Sequence, residues 1–401
     1  MKLYRRNILE STFFSEEWKK LRNNKVITPE CYDYNPIIIE DNSILKEEID
    51  PVIGNIKTER YNYSRFGSPL EKKLAEMILQ LEVGYVEDYK ENFNVLFFPS
   101  GMAAISNIIN IIKLITPNEL SKTNKFIVDK NIYSATKYFF KEMVPNMGFG
   151  NTLFVDMKDE TTFSEILAIN NNKIVAVFYE PVSNPSLKYI DTRKIREILS
   201  YYSIPIIVDN TLLTSDLQQQ FRLGADLIIN SMTKYWSGKS DLTAGAVIGP
   251  KIFINGCRNM QGIIGNTLDL AAMSKLCERL PGLHNRMRQH SSNAAELAGY
   301  LRSCDYVKKV IYPSIDFTRY NSAGGLVSFI MDRKKQEKLI EACIKNYHKP
   351  LAVQVGFGSQ NYRIVPNIYG SSDLEEGFTR LATGLTPDVK EVIKFIDLNI
   401  K

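Results

Sequence analysis

Three residues packed into four positions, Ser231, Thr233 and Lys234 in "NSMTKYW", follow the apolar run Ala225-Asp226-Leu227-Ile228-Ile229. Two hydroxyls two apart on an extended segment face one side and can hold a phosphate. Lys234 then points the other way, or into a turn. A lysine on the buried side has a depressed pKa and can form a Schiff base; one that merely snorkels at a strand end gives the same pattern. Three other stretches raise the same kind of question. In "FFPSGMAA" a strand stops at Pro99, and Ser100, Gly101 and Met102 open a helix. Free N–H groups at a helix start make an anion pocket and glycine lets a phosphate come close, although such glycines also occur for steric reasons alone. In "IPIIVDNT" Asp209 ends an apolar strand, either as a cap or as a counter-charge to a cation. In "YEPVSNPSLKYID" the pair Asn184-Pro185 marks a sharp turn, where Asn184 either shapes the chain or hydrogen-bonds a ligand oxygen.

These residues need elements to carry them. "SPLEKKLAEMILQLEVG" reads as a helix, with a capping Ser68, Pro69 just inside it and Gly84 after it. Strands and helices then alternate: "NVLFFPSG", "MAAISNIINIIKLI", "KFIVDK", "YSATKYFFKEMV", "NTLFVD", "TFSEILAI", "KIVAVFYEP", "DTRKIREILSYY", "IPIIVDNT", "DLQQQFRLG" and "ADLIINS", with "GAVIGP" as one more strand. Strands that are apolar throughout call for a mostly parallel sheet covered on both faces, and such sheets bind ligands beyond the carboxyl ends of their strands. After about residue 270 the pattern changes to a long helical stretch with a break near Pro281, strands at "VKKVIYP" and "GLVSFIMD", and helices at "RKKQEKLIEACIKN" and "TPDVKEVIKFIDLNI". The expected division is an N-terminal arm over 1–70 with one short helix near "EEWKKLR", a large α/β domain over 71–270 and a smaller α+β domain over 271–401.

Composition narrows the function classes. The 401 residues are 44% apolar and 24% charged with a formal net charge of +5, ordinary for a globular chain. Lys and Arg are interspersed with Asp and Glu, which fits a small anionic ligand better than nucleic acid. Five cysteines, Cys31, Cys257, Cys277, Cys304 and Cys343, include no CxxC pair, so neither a disulfide framework nor a zinc site is expected and a reducing, cytoplasmic setting fits. No apolar run is long enough for a membrane span. The three histidines, His284, His290 and His348, lie away from the glycine-rich signals.

An amine to hold an aldehyde, an anion cup and a carboxylate to keep a pyridine nitrogen protonated are what a pyridoxal phosphate enzyme needs. Lys234, the turn at Ser100, Gly101 and Met102 with Ser231 and Thr233, and Asp209 supply that set from strand ends of one sheet. From about residue 60 onward the chain resembles the Cys/Met-metabolism group of pyridoxal-phosphate enzymes: cystathionine γ-synthases, cystathionine lyases, methionine γ-lyases and homoserine-ester sulfhydrylases. The resemblance is strongest in "VDNTLLTSDLQQQFRLGADLIINSMTKYWSGKSDLTAGAVIG". It implies the aminotransferase-like fold type I, with a mostly parallel seven-stranded sheet and a smaller C-terminal α+β domain. It further implies Lys234 as Schiff-base lysine and Asp209 opposite the pyridinium nitrogen. Gly101, Met102, Ser231 and Thr233 would hold the phosphate, Tyr133 would stack on the ring and Asn184 would sit near the ring hydroxyl and the substrate. "RYNYSRFGSP" resembles the segment whose Tyr63 and Arg65 reach the phosphate of a neighbouring subunit, implying at least a dimer, with a tetramer common. "TRLATGL" resembles the segment whose arginine, Arg380, grips the substrate α-carboxylate.

The chain also departs from that pattern. The family's "SLGG-x-E-S" region reads "QVGFGSQNY" at 354–362, so the resemblance does not define side-chain specificity. Lys239 stands where a histidine is usual, Ser68 and Leu70 replace an Asn and a Thr, and Ala135 replaces the cysteine of methionine γ-lyases. The expected activity is γ-replacement on an activated homoserine-type amino acid. Alternatives are a cystathionine β- or γ-lyase, replacement by a carbon or nitrogen nucleophile, and a non-catalytic anion-binding scaffold.

Overall fold

The computed structural model describes residues 64–116, 123–170, 173–316, 318–347, 349–366 and 374–400. Nearly all of the expected N-terminal arm, including its short helix and Tyr63, lies outside the described residues, as does His348.

A 3-10 turn, Ser64–Phe66, leads into helix α1, Pro69–Val83. Ser68 caps it by accepting the Glu71 N–H at 3.0 Å, and Pro69 occupies the first position, where no N–H is needed. Seven strands follow: β1 (Phe93–Phe98), β2 (Lys125–Asp129), β3 (Leu153–Val155), β4 (Ile174–Tyr179), β5 (Ile206–Asp209), β6 (Leu227–Ser231) and β7 (Gly245–Pro250). They form one sheet in the order β1-β7-β6-β5-β4-β2-β3, in which only β7 runs against its neighbours. Alternate side chains feed two cores. Val95, Phe97, Ile206, Val208 and Ile228 belong to one, Leu96, Phe98, Ile207, Leu227 and Ile229 to the other. Burial on both faces explains why these strands read as unbroken apolar runs. Each large side chain removed from water contributes about 1.5–3 kcal/mol.

Helices α2 (Gly101–Ile115) and α6 (Lys251–Ile264) line the second core; α1 and α7 (Leu270–Arg279) line the first. Helix α8 (Leu283–Arg302) follows a 3-10 turn at Leu280–Gly282, where the break at Pro281 was expected. A second, five-stranded sheet comprises β8 (Val307–Ile311), β9 (Leu326–Met331), β10 (Leu351–Val353), β11 (Tyr362–Pro366) and β12 (Phe378–Ala382) in the order β10-β11-β12-β9-β8. One face packs Val327, Phe329, Tyr362, Ile364 and Leu381 against α8, α9 (Arg333–Lys345) and α10 (Val389–Ile400).

The structure departs from expectation in four places. Helix α6 and strands β10, β11 and β12 were not anticipated; the strands are short, and β11 and β12 each carry a buried arginine that interrupts the apolar pattern. The helix expected over "YSATKYFFKEMV" is α-helical over Ser134–Tyr138 and becomes a π turn at Phe139–Met143. Finally, β6 ends at Ser231, as "ADLIINS" implied, so Thr233 sits in a turn rather than on an extended segment with Ser231, and Lys234 takes the turn alternative.

Candidate active site

The carboxyl ends of β1, β4, β5 and β6 converge at one edge of the first sheet. After β1, Ser100 caps α2 by accepting the Ala103 N–H at 3.1 Å. This leaves the Gly101 and Met102 N–H groups at the helix start without intrahelical acceptors, at the positive end of a 15-residue helix. The helix start abuts β6: a side chain on Gly101 would come within 3.2 Å of Ser231 Cβ. Met102 sulfur accepts the Thr136 hydroxyl at 3.5 Å.

Thr211 ties the ends of β5 and β6 together. Its hydroxyl accepts the Ser231 N–H at 2.7 Å and donates to the Asp209 carboxylate, which also accepts the Thr211 N–H at 3.1 Å. Burial raises the Asp209 carboxyl to about 6, against the pull of the two Thr211 hydrogen bonds. Beside it, at the end of β4, Glu180 is pushed well above the ordinary carboxyl range, first by burial and then by the Asp209 charge. Glu180 accepts two backbone N–H groups, from Tyr133 at 2.7 Å and from Asn184 at 3.3 Å. One carboxyl thus fixes the backbone of two candidate residues. Tyr133, 47% exposed in this chain, opens helix α3 (Ser134–Tyr138).

Lys234 follows β6 in a turn held by the Lys234 N–H to Ser231 carbonyl bond at 3.2 Å and the Gly238 N–H to Lys234 carbonyl bond at 2.9 Å. Thr233 is committed within this turn, its hydroxyl oxygen accepting the Ala244 N–H at 3.0 Å. Burial, and then the charges of Arg380 and Arg363, lower the Lys234 pKa. Its ammonium lies 5.1 Å from the centroid of the Phe357 ring and meets no carboxylate among the described residues.

The second sheet supplies the facing wall. The register pairs Arg380 with Val365 and with Ser328, and Arg363 with Ala382. Arg363, Arg380 and Ser328 therefore share the face opposite the C-terminal core. Ser328 donates its hydroxyl to the Pro185 carbonyl at 2.6 Å, next to the cis Asn184-Pro185 bond, and so ties the two sheets together at the site. Arg380 donates to Asn184 Oδ1 at 2.9 Å and to the Gly356 carbonyl at 3.3 Å. Burial lowers its pKa to about 10. The loop between β10 and β11 closes over the Lys234 turn: a side chain at Gly358, whose φ is +74°, would reach 2.6 Å from the Tyr235 nitrogen. Only glycine suits both that conformation and that contact.

Of the residues singled out from sequence, Gly101, Met102, Ser231, Thr233, Lys234, Asp209, Tyr133, Asn184 and Arg380 all belong to this region. Arg65 is anchored elsewhere on its own chain, donating to the Gly262 carbonyl at 2.8 Å on α6. Glu180, Thr211, Phe357 and Arg363 were missed. Glu180 gave the same signal as Asp209, a carboxylate closing an apolar strand; Arg363 lay just beyond "QVGFGSQNY". The donor set fits pyridoxal phosphate: an amine without a carboxylate partner among the described residues, a helix start with free N–H groups, a hydroxyl at Ser231 and a partly buried carboxylate.

Comparison with known proteins agrees. The family model of the Cys/Met metabolism PLP-dependent enzymes matches residues 29–362. A cystathionine β-lyase of Lactococcus lactis subsp. cremoris (strain MG1363) is 27% identical over 84% of this chain and 89% of its own length. A Bacillus subtilis cystathionine γ-synthase/O-acetylhomoserine (thiol)-lyase is 29% identical over 81% and 79%. The fold is that of Xanthomonas oryzae pv. oryzae cystathionine γ-synthase, solved with aminoacrylate and cysteine, with a TM-score of 0.75 at 21% identity over 86% of this chain and 88% of that one.

Proposed function

The chain belongs to the Cys/Met metabolism PLP-dependent enzymes, and from that premise we propose that it catalyses γ-replacement on an activated homoserine-type amino acid, with Lys234 as the residue that holds the cofactor. Its cofactor is pyridoxal 5'-phosphate and its substrates are small amino acids. When bound, pyridoxal phosphate supplies an electrophilic carbon and an electron-accepting ring.

In this reading the chain's own groups divide the remaining work. The N–H groups of Gly101 and Met102, with Ser231 and Thr233, hold the phosphate. Asp209 keeps a proton on the ring nitrogen, a cation that in turn holds the carboxyl ionised despite its burial. Tyr133 lies against the ring, and Asn184 orients Arg380, whose fork takes the substrate α-carboxylate. Lys234 Nζ, made less basic by burial and by two guanidinium groups, takes the proton from the substrate Cα and passes protons at Cβ; general base help of this kind is typically worth about 10²–10⁴-fold. Tyr63 and Arg65 complete the phosphate site of a neighbouring subunit, so the working unit is at least a dimer, with a tetramer as the expected assembly.

The observation that supports this most directly is the partly buried Lys234 amine beside Arg380 and Arg363 with no carboxylate among the described residues to neutralise it. Borohydride reduction of the holoprotein followed by peptide mass spectrometry should find a pyridoxyl group on Lys234; Lys234→Ala should lose it, together with activity by about 10⁴-fold or more. A modified lysine elsewhere, or none in cofactor-loaded protein, refutes the assignment. A lyase is the second reading, favoured by the Lactococcus lactis relative. Incubating O-acetyl-, O-succinyl- and O-phosphohomoserine with and without cysteine separates the two. Adduct formation that depends on the thiol supports replacement; keto-acid release from cystathionine alone supports the lyase.

A further inference from the structure

Apart from its charge acting on Lys234, Arg363 has no task in the site as described so far. It is 9% exposed, yet its Nε meets no acceptor and no carboxylate approaches its guanidinium among the described residues. Its cross-strand partner is Ala382, two residues from Arg380 on β12, so the two arginines are diagonal neighbours on one face. Cα atoms so placed lie about 7–8 Å apart, within reach of one ligand. The backbone makes room for it: Gly356, at φ +136°, stands where a side chain would run into the guanidinium, and the same residue's carbonyl accepts from Arg380. Both charges act on Lys234. The cleft therefore gathers three cations, none of which is paired with a carboxylate among the described residues, whereas an α-amino acid brings a single carboxylate that one fork can hold.

We propose that Arg363 is a specificity residue that, together with Arg380, selects amino-acid substrates carrying a second oxyanion, a carboxylate or phosphate, on the side chain. The inference rests on the assignment of Lys234 and Arg380 given above. It places the discriminating charge on β11, next to the 354–362 segment that departs from the family pattern.

The test uses the holoenzyme and its Arg363→Met and Arg363→Lys variants. Calorimetry compares L-glutamate and L-2-aminoadipate with L-norvaline, three amino acids without a γ leaving group. kcat/KM is then compared for O-succinyl-, O-phospho- and O-acetylhomoserine. The parent should favour the anionic member of each set by about tenfold or more, and the succinyl and phospho arms report which oxyanion it prefers. Arg363→Met should abolish that preference, an effect on the order of 30-fold on the anionic compounds, with a clearly smaller change for norvaline and the acetyl ester through the charge lost near Lys234; Arg363→Lys should restore part of it. Equal losses on charged and neutral compounds would mean that Arg363 serves the α-carboxylate or the fold, and would overturn the proposal. So would a parent enzyme with no charge preference, a result that needs no variant. A pyridoxyl-Lys234 adduct without charge preference defeats this inference alone; absence of the adduct defeats the assignment beneath it.

Discussion

The two walls of the site are built to opposite degrees of completion. On the first sheet, Glu180 is a buried carboxyl and Asp209 a partly buried one, and each is met by hydrogen-bond donors from its own chain: the Tyr133 and Asn184 backbone for Glu180, Thr211 for Asp209. On the second sheet, Arg363 and Arg380 are buried guanidinium groups whose Nε atoms meet no acceptor among the described residues. Burial pushes the two kinds of group in opposite directions, carboxyls up and guanidinium groups down, because in each case it disfavours the charged form. A buried group satisfied from within positions its neighbours; a buried charge left open is held for something that arrives. The first wall is a frame and the second is a receptor.

That contrast can be broken in steps. Asp209→Asn removes the charge that the proposed ring cation requires, so kcat should fall by about 10²–10³-fold with little change in substrate KM. The same variant has a pH signature in the apoprotein. Asp209 binds its proton more tightly when folded, with a pKa of about 6 against an ordinary 3.8. Its contribution therefore favours folding fully below about pH 4 and is lost as pH rises through 6. Apo Asp209→Asn should gain in thermal midpoint over the parent above pH 6 and gain nothing below 4; a pH-independent difference would contradict the burial argument. On the receptor side, Arg380→Lys keeps the charge and loses the fork, and should raise KM for the amino acid by about 10²-fold with a smaller effect on kcat. The smallest effect is expected at Glu180→Gln. An amide oxygen can still accept one of the two N–H groups, so a loss of about tenfold or less is expected. It should come with a changed cofactor spectrum as Tyr133 and Asn184 shift. Should Glu180→Gln exceed Asp209→Asn, the division between frame and chemistry would be wrong.

Much of the frame was legible because strand ends announce themselves. The runs before Pro99, Asp209 and Asn230 are apolar without a break, and a polar residue that closes such a run stands at a sheet edge. The same rule covers Glu180, which closes the apolar run Ile174–Tyr179. The receptor was harder to read. β11 and β12 are five residues each, and in each an arginine sits within the strand, so neither alternation nor an apolar run marks them. Whether such an arginine faces solvent or a cleft depends on pairing across residues distant in sequence, which local patterning does not carry. The placement of Thr233 was hidden for a related reason: the register of β7 pairs Gly245 with Ser231, and the chain turns immediately afterwards.

The backbone contact between Gly358 and the Lys234–Tyr235 turn has a practical consequence. The residues assigned to the cofactor lie on one lobe, and those assigned to substrate choice lie on the loop and strands of 354–382, so a chimera exchanging only that segment should acquire the donor's substrate preference and keep its pyridoxal phosphate. The graft must bring a glycine to position 358, because any larger residue there would press on the main chain of the very lysine that the exchange is meant to leave alone.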